Sequence, residues 1–283
     1  MYAKQIDRTN PGCLVLLVDQ SGSMREPVAA GGGRSKADAL AEAINGLLYE
    51  LVLRCIKDDA EGPRHYYDLA VLGYGGDTVG SALGGQLAGR DLVSIVELAN
   101  HPVRVEDRPP PGSDGDGDVG PLPRGARLPI WVDPAAAGGT PMSDALDRAG
   151  ALVAPWVQAH RGSFPPLVVN VSDGAATDGD PRVWSERIRS LATDDGNVLL
   201  FNLNLSARGG EPLFFPSTDE DLPGDYARML FEMSSPLPGY MASLAAAQHL
   251  PVGHGARGYV FNADVSALVR FLQIGTVTAQ AMG

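Results

Sequence analysis

Five apolar residues in a row, Leu14 to Val18, end abruptly at Asp19, and the run LVLLVDQSGSM continues through Gln20, Ser21, Gly22, Ser23 and Met24. A continuous apolar run of strand length, closed by small polar residues, reads as a β-strand buried on both faces. The polar cluster then falls just past the carboxyl end of that strand, which is the edge of an open α/β sheet where ligands bind. Asp19, Ser21 and Ser23 stand at alternate positions. One carboxylate and two hydroxyls so spaced form a compact set of hard oxygen donors, suited to Mg²⁺ or a similar cation.

The rest of the chain alternates strands with helices. Ser35 and Asp38 make an S-x-x-D start signal, and Leu40, Ile44, Leu47, Leu48, Leu51 and Cys55 recur at helical spacing, predicting a helix over Ser35–Lys57. The connection Arg25–Arg34 carries Gly31-Gly32-Gly33 and reads as a mobile loop near the cation site. Tyr66–Tyr74 is a second strand and Thr78–Leu83 an antiparallel edge strand, whereas Val93–Leu98 fits either a short strand or a helical turn. After Leu128–Val132 and a Gly138-Gly139-Thr140-Pro141-Met142 loop comes a helix over Ser143–Ala159. Leu167–Ser172 is another buried strand, ending in Asp173-Gly174. Asp180 with Pro181 opens a helix to Ala192, and Asp178 reads either as a loop cap or as a group facing the site. A strand over Asn197–Leu203, helices over Asp225–Met233 and Gly239–His249, a strand over Gly258–Asn262 and a helix over Asp264–Ile274 complete the order. This alternation predicts a single α/β domain over 1–283, with a mostly parallel central sheet, one antiparallel edge strand and helices on both faces. Two segments look like additions: an acidic Pro/Gly-rich loop at about 101–126 and an extension at about 204–238. Within the former, Asp114, Asp116 and Asp118 alternate as calcium ligands do. The loop glycine is displaced and Gly125 stands where a bidentate Glu is needed, so the segment reads as a solvated acidic loop.

Composition narrows the function classes. The net charge of −12 disfavours nonspecific binding to nucleic acid or anionic membrane. No apolar run reaches membrane-spanning length and the N-terminal residues lack a signal-peptide core, so the expected location is cytoplasmic. Cys13 and Cys55 read as buried free thiols, and without a CxxC or Cys/His cluster zinc is not expected.

Asp19-Gln20-Ser21-Gly22-Ser23 resembles the DxSxS signature of von Willebrand factor A (vWA) domains, the core of their metal-ion-dependent adhesion site. Thr140, on a glycine loop just before a helix, reads by itself as a helix-capping threonine or a ligand, and it matches the threonine that supplies that family's third hydroxyl. Asp173-Gly174 resembles its TDG element, with Ser172 in place of the usual threonine. The resemblance covers nearly the whole chain. It is nearest in flavour to small bacterial cytosolic members, of the kind encoded near tellurite-resistance genes and near phosphatases or kinases. It implies a Rossmann-like fold and a divalent cation, Mg²⁺ (or Mn²⁺ or Ca²⁺), held by Asp19, Ser21, Ser23, Thr140 and Asp173. Three neutral hydroxyls and two carboxylates leave a coordination position open, so that a partner protein's Asp or Glu completes the shell. The expected function is thus metal-dependent protein–protein interaction without catalysis, with a role in bacterial stress or phosphorylation signalling implied by the resemblance alone.

Two other classes use the same residues: a metal-dependent hydrolase or phosphatase, and an interaction scaffold without functional metal. Against the hydrolase, Gln20 and Ser21 follow Asp19 where aspartyl-phosphate enzymes keep a second Asp. No lysine stands in a clear position to hold phosphate, and Gly31-Gly32-Gly33-Arg34-Ser35 is not a P-loop. Ser21 is not in a G-x-S-x-G elbow, and the five histidines show no paired spacing with an acid. Trp131, Trp156 and Trp184 are scattered and read as packing residues, and Phe214-Phe215 as a cover over the sheet.

Overall fold

The computed structural model describes residues 1–28, 33–58, 62–107, 127–205 and 210–276. In chain order the elements are β1 (Gly12–Asp19), α1 (Lys36–Cys55), β2 (Tyr67–Gly75), β3 (Thr78–Ser81), β4 (Val93–Ser94), α2 (Ile95–Asn100), β5 (Arg104–Asp107), β6 (Arg127–Ile130), α3 (Met142–Ala159) and β7 (Leu167–Ser172). They continue with α4 (Arg182–Ser190), β8 (Ala192–Thr193), β9 (Gly196–Asn197), β10 (Leu199–Leu205), β11 (Leu213–Phe214), α5 (Gly224–Met233), α6 (Gly239–Ala247), β12 (Tyr259–Ala263) and α7 (Val265–Thr276). The acidic run with Asp114, Asp116 and Asp118, and the glycines at 31 and 32, lie outside the described residues.

The main sheet runs β11-β12-β10-β7-β1-β2-β3, with β4 paired to β2. β12, β10, β7, β1 and β2 are parallel throughout, and the inner strands β10, β7 and β1 are buried along their whole length. The expected antiparallel edge strand is β3, on β2. A second antiparallel edge, β11 on β12, comes from the extension and caps the opposite side. The expected ambiguity at Val93–Leu98 is resolved by both answers: two residues of strand turn into α2 at Ser94. The Ser94 hydroxyl accepts from Glu97 N while the Glu97 side chain takes the Ser94 amide. The strand expected from Asn197 begins at Leu199, because Gly196 and Asn197 form a small hairpin with β8.

Alternate side chains of β1 enter two cores. Leu14, Leu16 and Val18 pack with the apolar faces of α1, α2, α6 and α7. Cys13, Val15 and Leu17 pack with α3, α4 and α5. Helix α1 starts where the sequence says, at a complete Ser35/Asp38 capping box. It buries Leu40, Ile44, Leu47, Leu48 and Leu51, each worth about 1.5–3 kcal/mol in transfer from water. The tryptophans are dispersed as expected: Trp131 donates to Leu98 O, Trp156 to Asp68 and Trp184 lies under Arg187. Phe214 and Phe215 are buried, and Phe215 stacks on Phe271 of α7. Among the described residues no helix is long and apolar enough to cross a membrane.

Candidate functional site

β1 and β7 are neighbours with Val18 beside Val171, so Asp19 and the pair Ser172–Asp173 leave the sheet side by side at its carboxyl edge. Asp19 is 1% exposed. Its Oδ1 accepts from Ser21 N at 2.8 Å and its Oδ2 from Ser172 Oγ at 2.7 Å. Burial pushes its carboxyl above the usual range, against the pull of the Ser21 and Ser172 bonds and with a further push from the charge of Asp173. Ser23 Oγ donates to Asp173 Oδ1 at 2.6 Å, and Ser21 Oγ lies 3.1 Å from Ser23 Oγ. The Ser23 proton is spent on Asp173, so Ser21 is the donor of that pair. Asp19, Ser21, Ser23 and Asp173 are therefore joined in one cluster.

Thr140 reaches the same edge by a different route. Ala137 N donates to Gln20 O and Gly22 N to Gly138 O, stitching the glycine loop to the turn after β1. Gly138 adopts φ +60°, and a Cβ there would lie 2.5 Å from Gly76 Cα. Only glycine permits both that conformation and that approach. Thr140 N donates to Thr177 Oγ1 at 2.9 Å, and Thr177 N to Thr140 O. Thr140 is buried, but its hydroxyl makes no hydrogen bond to the cluster. Asp178 proves to be a cap: Ser143 N and Asp144 N, in the first turn of α3, both donate to its carboxylate.

Three residues at this edge were not among the expected ligands. The first is Lys36, which stands at the site itself, although the sequence offered no lysine in a clear position to hold phosphate. Its side chain is 4% exposed, and its ammonium donates to Asp173 Oδ2 at 2.8 Å and to Glu26 Oε2 at 2.9 Å. Burial works against the charged form, yet the bonds to Asp173 and Glu26 hold its pKa above the usual lysine range. The local signal was a lysine in the first turn of a helix, where the macrodipole favours acids. The second is Ser172, whose hydroxyl gives its proton to Asp19 or to Gly174 O and accepts from Gly174 N and Tyr226. The third, Tyr226 of α5, donates to Ser172 Oγ at 3.0 Å, and burial raises its pKa far above that of a free phenol. No local pattern marks Tyr226; only tertiary packing brings the extension here.

Below the edge a buried polar chain crosses the sheet. Tyr74 Oη donates to Asn170 Oδ1 at 2.7 Å, Asn170 Nδ2 to Asn202 Oδ1 at 3.0 Å, and Asn202 Nδ2 to Ser234 Oγ at 3.0 Å. Among the described residues no three His, Cys, Asp or Glu side chains gather as a metal-holding group, so a cation at this edge would depend on the serine and threonine hydroxyls.

The lysine is engaged on two sides. Its ammonium is spent on two carboxylates, and both oxygens of Asp19 are engaged within a buried network. No protein-family model matches this sequence. No curated protein matches it either.

Proposed function

We propose that the chain is a vWA-type interaction module of the cytoplasm, in which a divalent cation held at the carboxyl edge captures an acidic side chain of a partner protein. The observation that carries this reading is the hydroxyl–carboxylate cluster itself. Ser21 Oγ and Ser23 Oγ stand 3.1 Å apart. That is close to the separation of adjacent corners in an octahedron with Mg–O distances of about 2.1 Å. The donor set is hard oxygen only, with Asp19 and Asp173 supplying charge and Thr140 a third hydroxyl from the stitched glycine loop. The residues therefore fit the cation. When bound, it would supply a Lewis-acidic position for an incoming carboxylate. The chain's own part is to hold the serines on a fixed turn and to keep both aspartates buried and hydrogen-bonded.

The test is affinity capture from the native host with Mg²⁺ and with EDTA, using wild type and Asp19→Ala. Partners retained by wild type with Mg²⁺ and lost under both perturbations support the reading. Capture indifferent to both chelation and Asp19→Ala would sink it.

A further inference from the structure

The most unexpected group at the carboxyl edge is a buried cation that belongs to the chain. Lys36 is clamped on both sides of its Cα. Its backbone N donates to Glu26 O at 2.9 Å, and its ammonium reaches Glu26 Oε2 and Asp173 Oδ2. A single antiparallel bridge, Pro27 with Ser35, and the bond from Val28 N to Arg34 O close the neck of the intervening loop. The lysine is thus fixed before any ligand arrives. The Asp173 side chain is fully buried, and its two oxygens are divided between Ser23 and Lys36. A buried carboxylate needs a counter-charge, and here an ammonium supplies it.

We propose that Lys36 is a positioning and specificity-determining residue that competes with the divalent cation for Asp173 and so sets a weak intrinsic affinity at the Asp19–Ser21–Ser23–Asp173 cluster. This inference rests on the cation reading above. A dication entering beside Ser23 meets a carboxylate already neutralised and a fixed like charge close by. For charges of +2 and +1 separated by about 5 Å, even bulk-water screening costs roughly tenfold in the binding constant, and a partly buried edge costs more. Neutral ligands and a compensated aspartate leave the site under-charged, so stable occupancy draws on the carboxylate that a partner contributes.

The experiment is a Mn²⁺ titration followed by electron paramagnetic resonance, at one pH and ionic strength, on the full chain. It compares wild type, Lys36→Met, Lys36→Gln, Lys36→Arg, and Asp19→Ala in the Lys36→Gln background. The neutral variants are expected to bind Mn²⁺ at least about tenfold more tightly than wild type. The charge-retaining arginine variant should stay within a few-fold of wild type, and Asp19→Ala should abolish the gain. Thermal melts give a second readout: Mn²⁺ should raise the midpoint of the neutral variants more than that of wild type. If wild type binds and the neutral variants bind no more tightly, the inference is overturned while the cation reading stands. If neither wild type nor either neutral variant binds, the cation reading itself falls and takes the inference with it. Should both neutral variants fail to fold alone, refolding with and without Mn²⁺ decides. Folding restored by the ion supports the competition, and failure in both conditions overturns it.

Discussion

Replacing Ser172 by alanine removes one hydroxyl that serves three neighbours. Asp19, 1% exposed, loses the 2.7 Å bond to its Oδ2 and keeps Ser21 N at 2.8 Å and a long contact from Asp173 N at 3.4 Å. A hydrogen bond to a charged, buried group contributes about 1.5–3 kcal/mol. Tyr226 loses the acceptor of its hydroxyl, which adds about 1 kcal/mol for a donor left without a partner. The expected loss is therefore about 2–4 kcal/mol of unfolding free energy, read by urea denaturation with tryptophan fluorescence. Tyr226→Phe takes away only the outer donor and leaves the Ser172–Asp19 bond intact, so it should cost no more than about 1 kcal/mol. The double variant should cost less than the sum, because the phenylalanine has no hydroxyl to orphan. A Ser172→Ala protein within about 0.5 kcal/mol of wild type would refute this account of how Asp19 is held. So would strict additivity with Tyr226→Phe.

Two further perturbations probe the scaffold of the site. Asn170→Leu should destabilise the fold by about 2–4 kcal/mol, since it orphans the Asn202 carbonyl and leaves the Tyr74 hydroxyl only the 3.3 Å contact to Val171 O; calorimetric melting checks it. Gly138→Ala should cost about 1–2 kcal/mol in left-handed strain and push the loop from Gly76, and an unchanged midpoint in a thermal melt would contradict the stitched geometry.

The elements that carry the edge were legible because their patterns are local. β1 is an apolar run ending in Asp19, β7 an apolar strand interrupted only by Asn170 and followed directly after Ser172 by Asp173, and α1 announces itself by a capping box and a helical stripe. The grouping of Asp19, Ser21, Ser23 and Asp173 followed from strand ends that a parallel sheet brings to one side. What was not legible depends on long-range placement. A lysine in the first turn of a helix does not by itself tell where its ammonium goes, and only the return of residue 173, 137 positions on, shows why Lys36 is buried. Tyr226 sits in the extension, and its hydroxyl finds Ser172 because α5 covers the sheet next to β10. Asp178 illustrates the opposite case: its two readings were equal in sequence, and the amides at the start of α3 decide for the cap.

The two cysteines acquire a meaning from the sheet that their spacing in the chain does not suggest. Cys13 belongs to the core beneath α3 and α5, and Cys55, at the end of α1, to the core beneath α7. Burial pushes the Cys55 thiol up to about 12 and the Cys13 thiol higher still, so neither offers a thiolate near neutral pH. The sheet stands between them as an insulating wall. In the native chain the two sulfurs cannot meet, and oxidation cannot staple the molecule to itself. Each thiol becomes reactive only when its own layer parts from the sheet, so the pair forms two separate clocks, one timing the opening of each side.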